Sequence, residues 1–172
     1  MILAMIQIRQ IKETDVENYQ KTWLQVITES PYMMREPDEA IHDISALTKR
    51  VHSFLNSENS NIFVAYNNEQ LIGFVTAWGG IFKRNKHSAY IVIGIVKEFT
   101  GQGIGKKLLS ELENWAIQNH ITRLELTVMT TNTPATSLYK SCGYEIEGIK
   151  QKSLIVNGEY IDEYYMLSLI HI

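Results

Sequence analysis

Apolar positions along this chain repeat with two different periods, and the switches between them outline the elements. Ile6 to Arg9 reads as a short strand. Thr14-Asp-Val-Glu17 has the form of a capping box, and Val16, Tyr19, Trp23, Val26 and Ile27 follow on one helical face. Ser30-Pro31 ends that helix, because the residue before a proline avoids helical angles. Ile44, Leu47, Val51, Phe54 and Leu55 mark a second helix. Asn61 to Tyr66 and Gln70 to Trp78 read as strands of a hairpin turning at Asn67-Asn68. Ala89 to Val96 is nearly all apolar, the pattern of a strand buried on both faces. The helical period returns over 103–119, where Ile104, Leu108, Leu112, Trp115 and Ala116 share a face. A strand at 123–128 alternates, with Leu124, Leu126 and Val128 on one side. A short helix at roughly 134–141 and a hairpin turning at Asn157-Gly158 close the chain.

Bulk properties change this picture little. A chain of 172 residues with 45% hydrophobic and 20% charged residues predicts one globular domain over 1–172 with a real core. Its net charge of −3 argues against a general nucleic-acid binder. A single cysteine permits no intrachain disulfide, so the expectation is a reducing, cytoplasmic setting. No apolar run approaches the roughly 20 residues of a membrane span, so no membrane partner is expected. The opening Met-Ile-Leu-Ala-Met-Ile lacks the basic flank of a signal peptide, and Met5 is a second candidate start.

The candidate chemistry begins at Thr100-Gly-Gln-Gly-Ile-Gly105, between the apolar strand and the amphipathic helix. Glycines at 101, 103 and 105 leave a turn without side-chain bulk, whose backbone N–H groups can converge on an anion. The helix behind adds unpaired N–H groups and the positive end of its dipole. The geometry suits a pyrophosphate. A phosphate-binding P-loop would need Gly-x-x-x-x-Gly-Lys-Ser/Thr, and here Lys106 is followed by Lys107. A dinucleotide loop would need Gly-x-Gly-x-x-Gly and an acid at a strand end, whereas Glu125 lies inside its strand. By itself the loop is also compatible with a glycine-rich turn that binds nothing.

A second motif, Asn132-Thr-Pro-Ala-Thr-Ser-Leu-Tyr-Lys-Ser-Cys-Gly-Tyr144, follows some thirty residues on. With both motifs in this order the chain resembles the GCN5-related N-acetyltransferase superfamily. That family's acetyl-CoA loop, Arg/Gln-x-x-Gly-x-Gly/Ala, maps to Thr100 through Gly105. Its Asn-x-x-Ala-x-x-Leu-Tyr, then Gly-Phe/Tyr, maps to Asn132, Ala135, Leu138, Tyr139, Gly143 and Tyr144. The resemblance extends more loosely from about Ile6 to about Leu169. Thr100 departs from it, standing where the family usually has Arg or Gln.

The resemblance implies an α/β (α+β) fold: a mixed, mostly antiparallel central sheet flanked by helices. Its central parallel strands, near 89–96 and 123–128, would splay to admit a pantetheine arm. It also implies an N-acetyltransferase that moves an acetyl group from acetyl-CoA directly to a primary amine of a small molecule or protein N-terminus. The alternative on the same scaffold is a non-catalytic acyl-CoA-binding or sensing domain. The cofactor residues so assigned are Ile95, Val96 and Lys97 from the strand end, Gly101, Gln102, Gly103, Ile104, Gly105 and Lys106 from the loop, and Asn132 on the pantetheine arm. Tyr139 is the implied general acid, and a phenol of pKa near 10 holds its proton at neutral pH. As plain structure, Tyr139 would be a core aromatic and Asn132 a helix N-cap.

No general base is assigned. His87 is a candidate by pKa, although a lone surface histidine is the commoner case. Glu125 is another, with Arg123 as its competing partner. Cys142 reads as a small buried side chain rather than an acyl carrier. The histidines at 42, 52, 120 and 171 show no metal-ligand spacing, so no metal is expected. Glu36, Asp38, Glu39 and Asp43 cluster near the single cation Arg35, which raises a preference for cationic amines beside the plainer reading of helix-capping acids. A homodimer is left open.

Overall fold

Seven strands form one sheet in the order β1-β2-β3-β4-β5-β7-β6. The structure is a computed structural model that describes residues 6–170. The two candidate starts Met1 and Met5, and His171, lie outside the described residues. The strands are β1 Ile6–Gln10, β2 Asn61–Asn67, β3 Gln70–Gly79, β4 Ser88–Ile95, β5 Arg123–Met129, β6 Glu145–Val156 and β7 Glu159–Leu169. The helices are α1 Val16–Glu29, α2 Ile44–Leu55, α3 Ile104–Gln118 and α4 Thr133–Ser141. No described helix is long and apolar enough to cross a membrane.

Every neighbouring pair is antiparallel except β4 and β5. Those two run parallel and pair only at Ser88 with Arg123, Ala89 with Leu124 and Tyr90 with Glu125. Beyond Tyr90 they part, while β4 remains paired to β3 as far as Ile95. The expected splay is therefore present. Where the ladder ends, the Tyr90 hydroxyl takes over. It bonds Thr127 Oγ1 at 2.8 Å and accepts the Thr127 backbone N–H at 3.3 Å. One backbone donor that the split would strand is thus satisfied by a side chain.

The two faces of the sheet carry separate cores. On one, Ile104, Leu108, Leu112 and Ala116 of α3 pack with Leu124, Leu126 and Val128 of β5, and with Tyr139 and Tyr144. On the other, Val16, Tyr19 and Val26 of α1 pack with Leu47, Val51 and Phe54 of α2 over Ile62, Val64 and Phe74. Fully burying one such side chain is worth about 1.5–3 kcal/mol, so each helix is held mainly by its apolar stripe.

Three details depart from the sequence patterns. Thr14-Asp-Val-Glu17 does not cap α1; the N-cap is Asp15, with no side-chain capping bond. Its carboxylate is taken by Arg9 Nη1 at 2.7 Å, Arg9 Nη2 at 2.9 Å, the Lys12 backbone N–H at 2.7 Å and the Tyr66 hydroxyl at 2.8 Å. The first hairpin turns at Asn68-Glu69, since Asn67 still pairs with Gln70, and Asn68 has φ 54°. Asparagine tolerates that left-handed angle. Finally, β4 is not buried on both faces: Tyr90, Val92, Ile93 and Ile95 are only half-buried, because the strand walls a cleft.

Candidate functional site

The split between β4 and β5 opens into a cleft of about 1010 Å³. Past Tyr90 the β5-facing edge of β4 has no strand partner, so its backbone N–H and C=O groups are free to bind an extended chain. The glycine turn stands at one end of this edge. Gly101 and Gly103 have φ 74° and 77°, the left-handed region that costs glycine nothing. A Cβ at either would meet no atom within 4 Å, so the turn borders open space. Gly103 is the N-cap of α3 and supplies no side chain, which leaves the helix's first N–H groups facing outward.

Gly105 has a different reason to be glycine. Its Cβ would lie 2.7 Å from Leu138 Cδ2 and 3.4 Å from Ile95 Cδ1. The first turn of α3 is thereby pressed against α4 and the end of β4. The two motifs, far apart in sequence, meet at this contact.

Eight of the ten residues assigned to the cofactor line the cleft: Ile95, Lys97, Gly101, Gly103, Ile104, Gly105, Lys106 and Asn132. Val96 and Gln102 do not. Val96 is fully buried, its N–H donates to Ile72 O at 2.9 Å, and its carbonyl accepts from Phe99 N. The Gln102 amide turns back to Glu98 O at 3.1 Å. Lys97 is in the wall, yet its backbone N–H is already given to Glu29 Oε2 at 2.8 Å. Thr100 also lines the cleft, and its hydroxyl donates to Lys97 O at 2.8 Å.

Asn132 caps α4, with Oδ1 accepting from Ala135 N at 3.2 Å, and it lines the cleft as well. Tyr139 lies seven residues on, 7% exposed and in the cleft wall. Its ring meets that of Tyr144 at 5.8 Å between centroids. Burial first, and then the neighbouring Tyr90, push the Tyr139 hydroxyl above the ordinary phenol range. It therefore keeps its proton at any physiological pH. Cys142 is half-buried against the same core, with its sulfur 3.8 Å from Ser141 Oγ.

The structure separates the other candidates from this cleft. His87 is exposed and borders a smaller hollow with Lys83, Lys86 and His120. Its carbonyl accepts from Thr122 N at 2.9 Å, at the joined end of β4 and β5 rather than the split end. Glu125 pairs with Arg123 Nε at 2.7 Å, and Arg123 Nη2 reaches Glu147 at 2.6 Å. None of Glu36, Asp38, Glu39 and Asp43 lines the cleft. Glu39 accepts the Glu36 N–H at 2.9 Å, and Asp43 caps α2 through the N–H groups of Ser45 and Ala46. Among the described residues no group of three or more metal-ligating side chains forms.

Three features of the wall were not legible as site residues. Tyr90 marks where the strands part. Arg50 lies with Cζ 5.4 Å from the Trp78 ring centroid, with no acid in ion-pair range among the described residues. Glu163 enters from β7. Each sits in an ordinary amphipathic pattern, so only the packing reveals its position.

Known proteins resemble the chain in the same regions. The model of the Acetyltransferase (GNAT) family matches residues 17–144. The L-amino acid N-acetyltransferase AaaT of Escherichia coli (strain K12) is 38% identical over 87 residues, which are 48% of this chain and 52% of AaaT. The chain thus spans about half the length of that curated relative. An acetyltransferase of the GNAT family from Streptococcus pneumoniae superposes with a TM-score of 0.93 at 27% identity, covering 97% of this chain and 100% of that one. The protein yncA from Salmonella typhimurium, solved with its cofactor acetyl-CoA, superposes with a TM-score of 0.86 at 15% identity, over 96% and 94% of the two chains.

Proposed function

The chain belongs to the GNAT family of acetyltransferases, and from that membership we propose that it moves an acetyl group from acetyl-CoA to the primary amine of a small molecule by direct transfer. The observation that carries this reading is the split after Tyr90, which leads from the glycine turn to Tyr139. One sheet runs through the described residues, which supports treating 1–172 as one domain.

The residues suit acetyl-CoA. The left-handed turn at Gly101 and Gly103 borders open space. With the first N–H groups of α3 and the ammonium of Lys106, it would hold the pyrophosphate. The free edge of β4 and the amide of Asn132 would hold the pantetheine arm. Acetyl-CoA, when bound, supplies an acetyl group on a thioester sulfur. The role of the chain is then to orient that arm in the split and to keep a protonated Tyr139 beside it. Free backbone donors of β4 would favour negative charge on an oxygen placed there. Tyr139 would give its proton to the leaving sulfur. Cys142 takes no part.

The charge of the acceptor end favours an amine that also bears a carboxylate. Arg35 and Arg50 line it, whereas Glu39 and Asp43 bond backbone N–H groups instead. Similarity to an L-amino acid N-acetyltransferase supports the same class. Trp23, Met33 and Trp78 in the wall fit an apolar side chain.

The test is purified protein with acetyl-CoA and a panel of L-leucine, spermidine and a short peptide with a free N-terminus, followed by released thiol. L-leucine is expected to lead. A non-catalytic acyl-CoA-binding or sensing domain would give heat on titration with acetyl-CoA but no thiol with any amine. Absence of both heat and thiol would overturn the reading altogether.

A further inference from the structure

Glu163 is buried at 3% exposure and stands in the wall of the cleft. Its Oε2 has no hydrogen-bond donor among the described residues. Lys150 Nζ lies 3.3 Å from that oxygen without the alignment of a hydrogen bond, and it also sits 5.5 Å from the Tyr165 ring centroid. A buried carboxylate is costly unless it is paired and well bonded. This one has a cation nearby, yet its Oε2 is buried with an unmet hydrogen bond. Such groups are a poor means of stabilising a fold and are common in sites that handle charge.

Register places the carboxylate on a definite face. Glu163 of β7 is opposite Met129 of β5, and cross-strand partners share a face. Val128, next to Met129, belongs to the α3 core together with Tyr139. Successive strand residues point to opposite faces, so Met129 and Glu163 point away from α3 and Tyr139. The split thus has a proton donor on its α3 side and a carboxylate on the other. Acetyl transfer is served by that separation, since the amine adds through one face of the planar carbonyl carbon while the proton donor must reach a different atom, the departing sulfur.

Resting on the acetyltransferase reading above, we infer that Glu163 is the catalytic residue that receives the acceptor's ammonium and removes its proton. An ammonium has no lone pair and cannot attack. One proton passes from the R–NH3+ group to the Glu163 carboxylate and then to solvent. The neutral nitrogen forms the C–N bond as the C–S bond breaks. Tyr139 gives its proton to the sulfur and regains one from the nitrogen. The sum is one amide, one thiol and one released proton. Lys150 is a positioning residue, with its ammonium 3.3 Å from the carboxylate in its buried place.

The test compares Glu163→Gln with the wild type on L-leucine and on L-leucinamide, whose amine is less basic and largely neutral at mildly alkaline pH. Loss of a general base typically costs about 10²–10⁴-fold. That loss in kcat/KM is expected for L-leucine, with less than about a tenfold loss for L-leucinamide, which needs no deprotonation. Leucine binding to the protein without acetyl-CoA, read by NMR titration, should weaken as well. Heat on titration with acetyl-CoA should match the wild type, which checks the fold. If Glu163→Gln fails to bind acetyl-CoA, Glu163→Asp serves instead: it retains a carboxylate, so it should stay active on L-leucine above the level of Lys150→Met,Glu163→Gln. An equal loss on both amines, or none, overturns the assignment while leaving the acetyltransferase reading intact. A wild type that releases no thiol with any amine overturns both.

Discussion

A Cβ placed on Gly105 would come within 2.7 Å of Leu138 Cδ2. The last glycine of the turn at 101–105 is therefore set by the helix that carries Tyr139, and the two motifs form one packing unit. Gly105→Ala is expected to cost about 1–3 kcal/mol as an overpacking change and to weaken acetyl-CoA binding. In a Leu138→Ala background the cost should shrink, since the clash is relieved. A double-mutant cycle by thermal unfolding measures this, and independent effects would disprove the coupling. Gly103→Ala meets no neighbour, so its penalty should come from the left-handed angle alone, about 1–2 kcal/mol.

Tyr139→Phe should lower kcat by about 10²–10⁴-fold and leave acetyl-CoA affinity nearly unchanged. Burial raises the hydroxyl above its usual value. Its ionisation should therefore impose no fall in kcat below about pH 10, the unperturbed phenol value. Cys142→Ala in the same steady-state assay should keep wild-type activity. A folded Phe variant with full activity would remove Tyr139 from the chemistry.

Tyr90→Phe removes the acceptor of the Thr127 N–H at the point where the ladder ends. A stranded donor costs about 1–3 kcal/mol when fully buried, and this partly buried one sets that as the upper limit. Thermal unfolding should show that loss, and calorimetry should show weaker acetyl-CoA binding as the mouth of the split relaxes. Unchanged stability and affinity would mean that water replaces the hydroxyl there.

Arg50→Met should raise KM for L-leucine and change that for spermidine little, because only the former has a carboxylate to lose its guanidinium partner. Neutralising Glu36, Asp38 and Glu39 together should leave KM for spermidine unchanged, since none of them lines the cleft. A selective rise for spermidine in that triple variant would restore the acidic loop as a determinant.

Asp15 gives a pH-dependent prediction. Burial works against its charge, but the bonds from Arg9, the Lys12 N–H and Tyr66 outweigh burial and hold its carboxyl below the usual range. The stability so contributed is complete above the unfolded value of about 3.9. It is lost as pH falls through the lower folded value. Asp15→Asn is expected to cost about 1.5–3 kcal/mol at neutral pH, and the gap to wild type should close on acidification. A constant gap in denaturant melts from neutral pH to pH 3 would refute this.

What the sequence determined by itself is whatever depends on neighbours close along the chain. Helical stripes such as Leu108-Leu112-Ala116, the Asn157-Gly158 turn and the glycine run at 101–105 each carry a short-range signal. So does the spacing of Asn132 and Tyr139, because about two turns of one helix set it. Where a residue's partner lies far along the chain, local pattern misled. Asp15 looked like part of a cap and instead bonds Tyr66, 51 residues away. His87 looked available and lies at the joined end of the split. The apolar run of β4 looked doubly buried and walls a cleft. Glu163 alternates as any strand residue does. Only the pairing of β7 with β5, across a sheet that parts after Tyr90, places its carboxylate opposite Tyr139, because long-range register decides which side chains share a face.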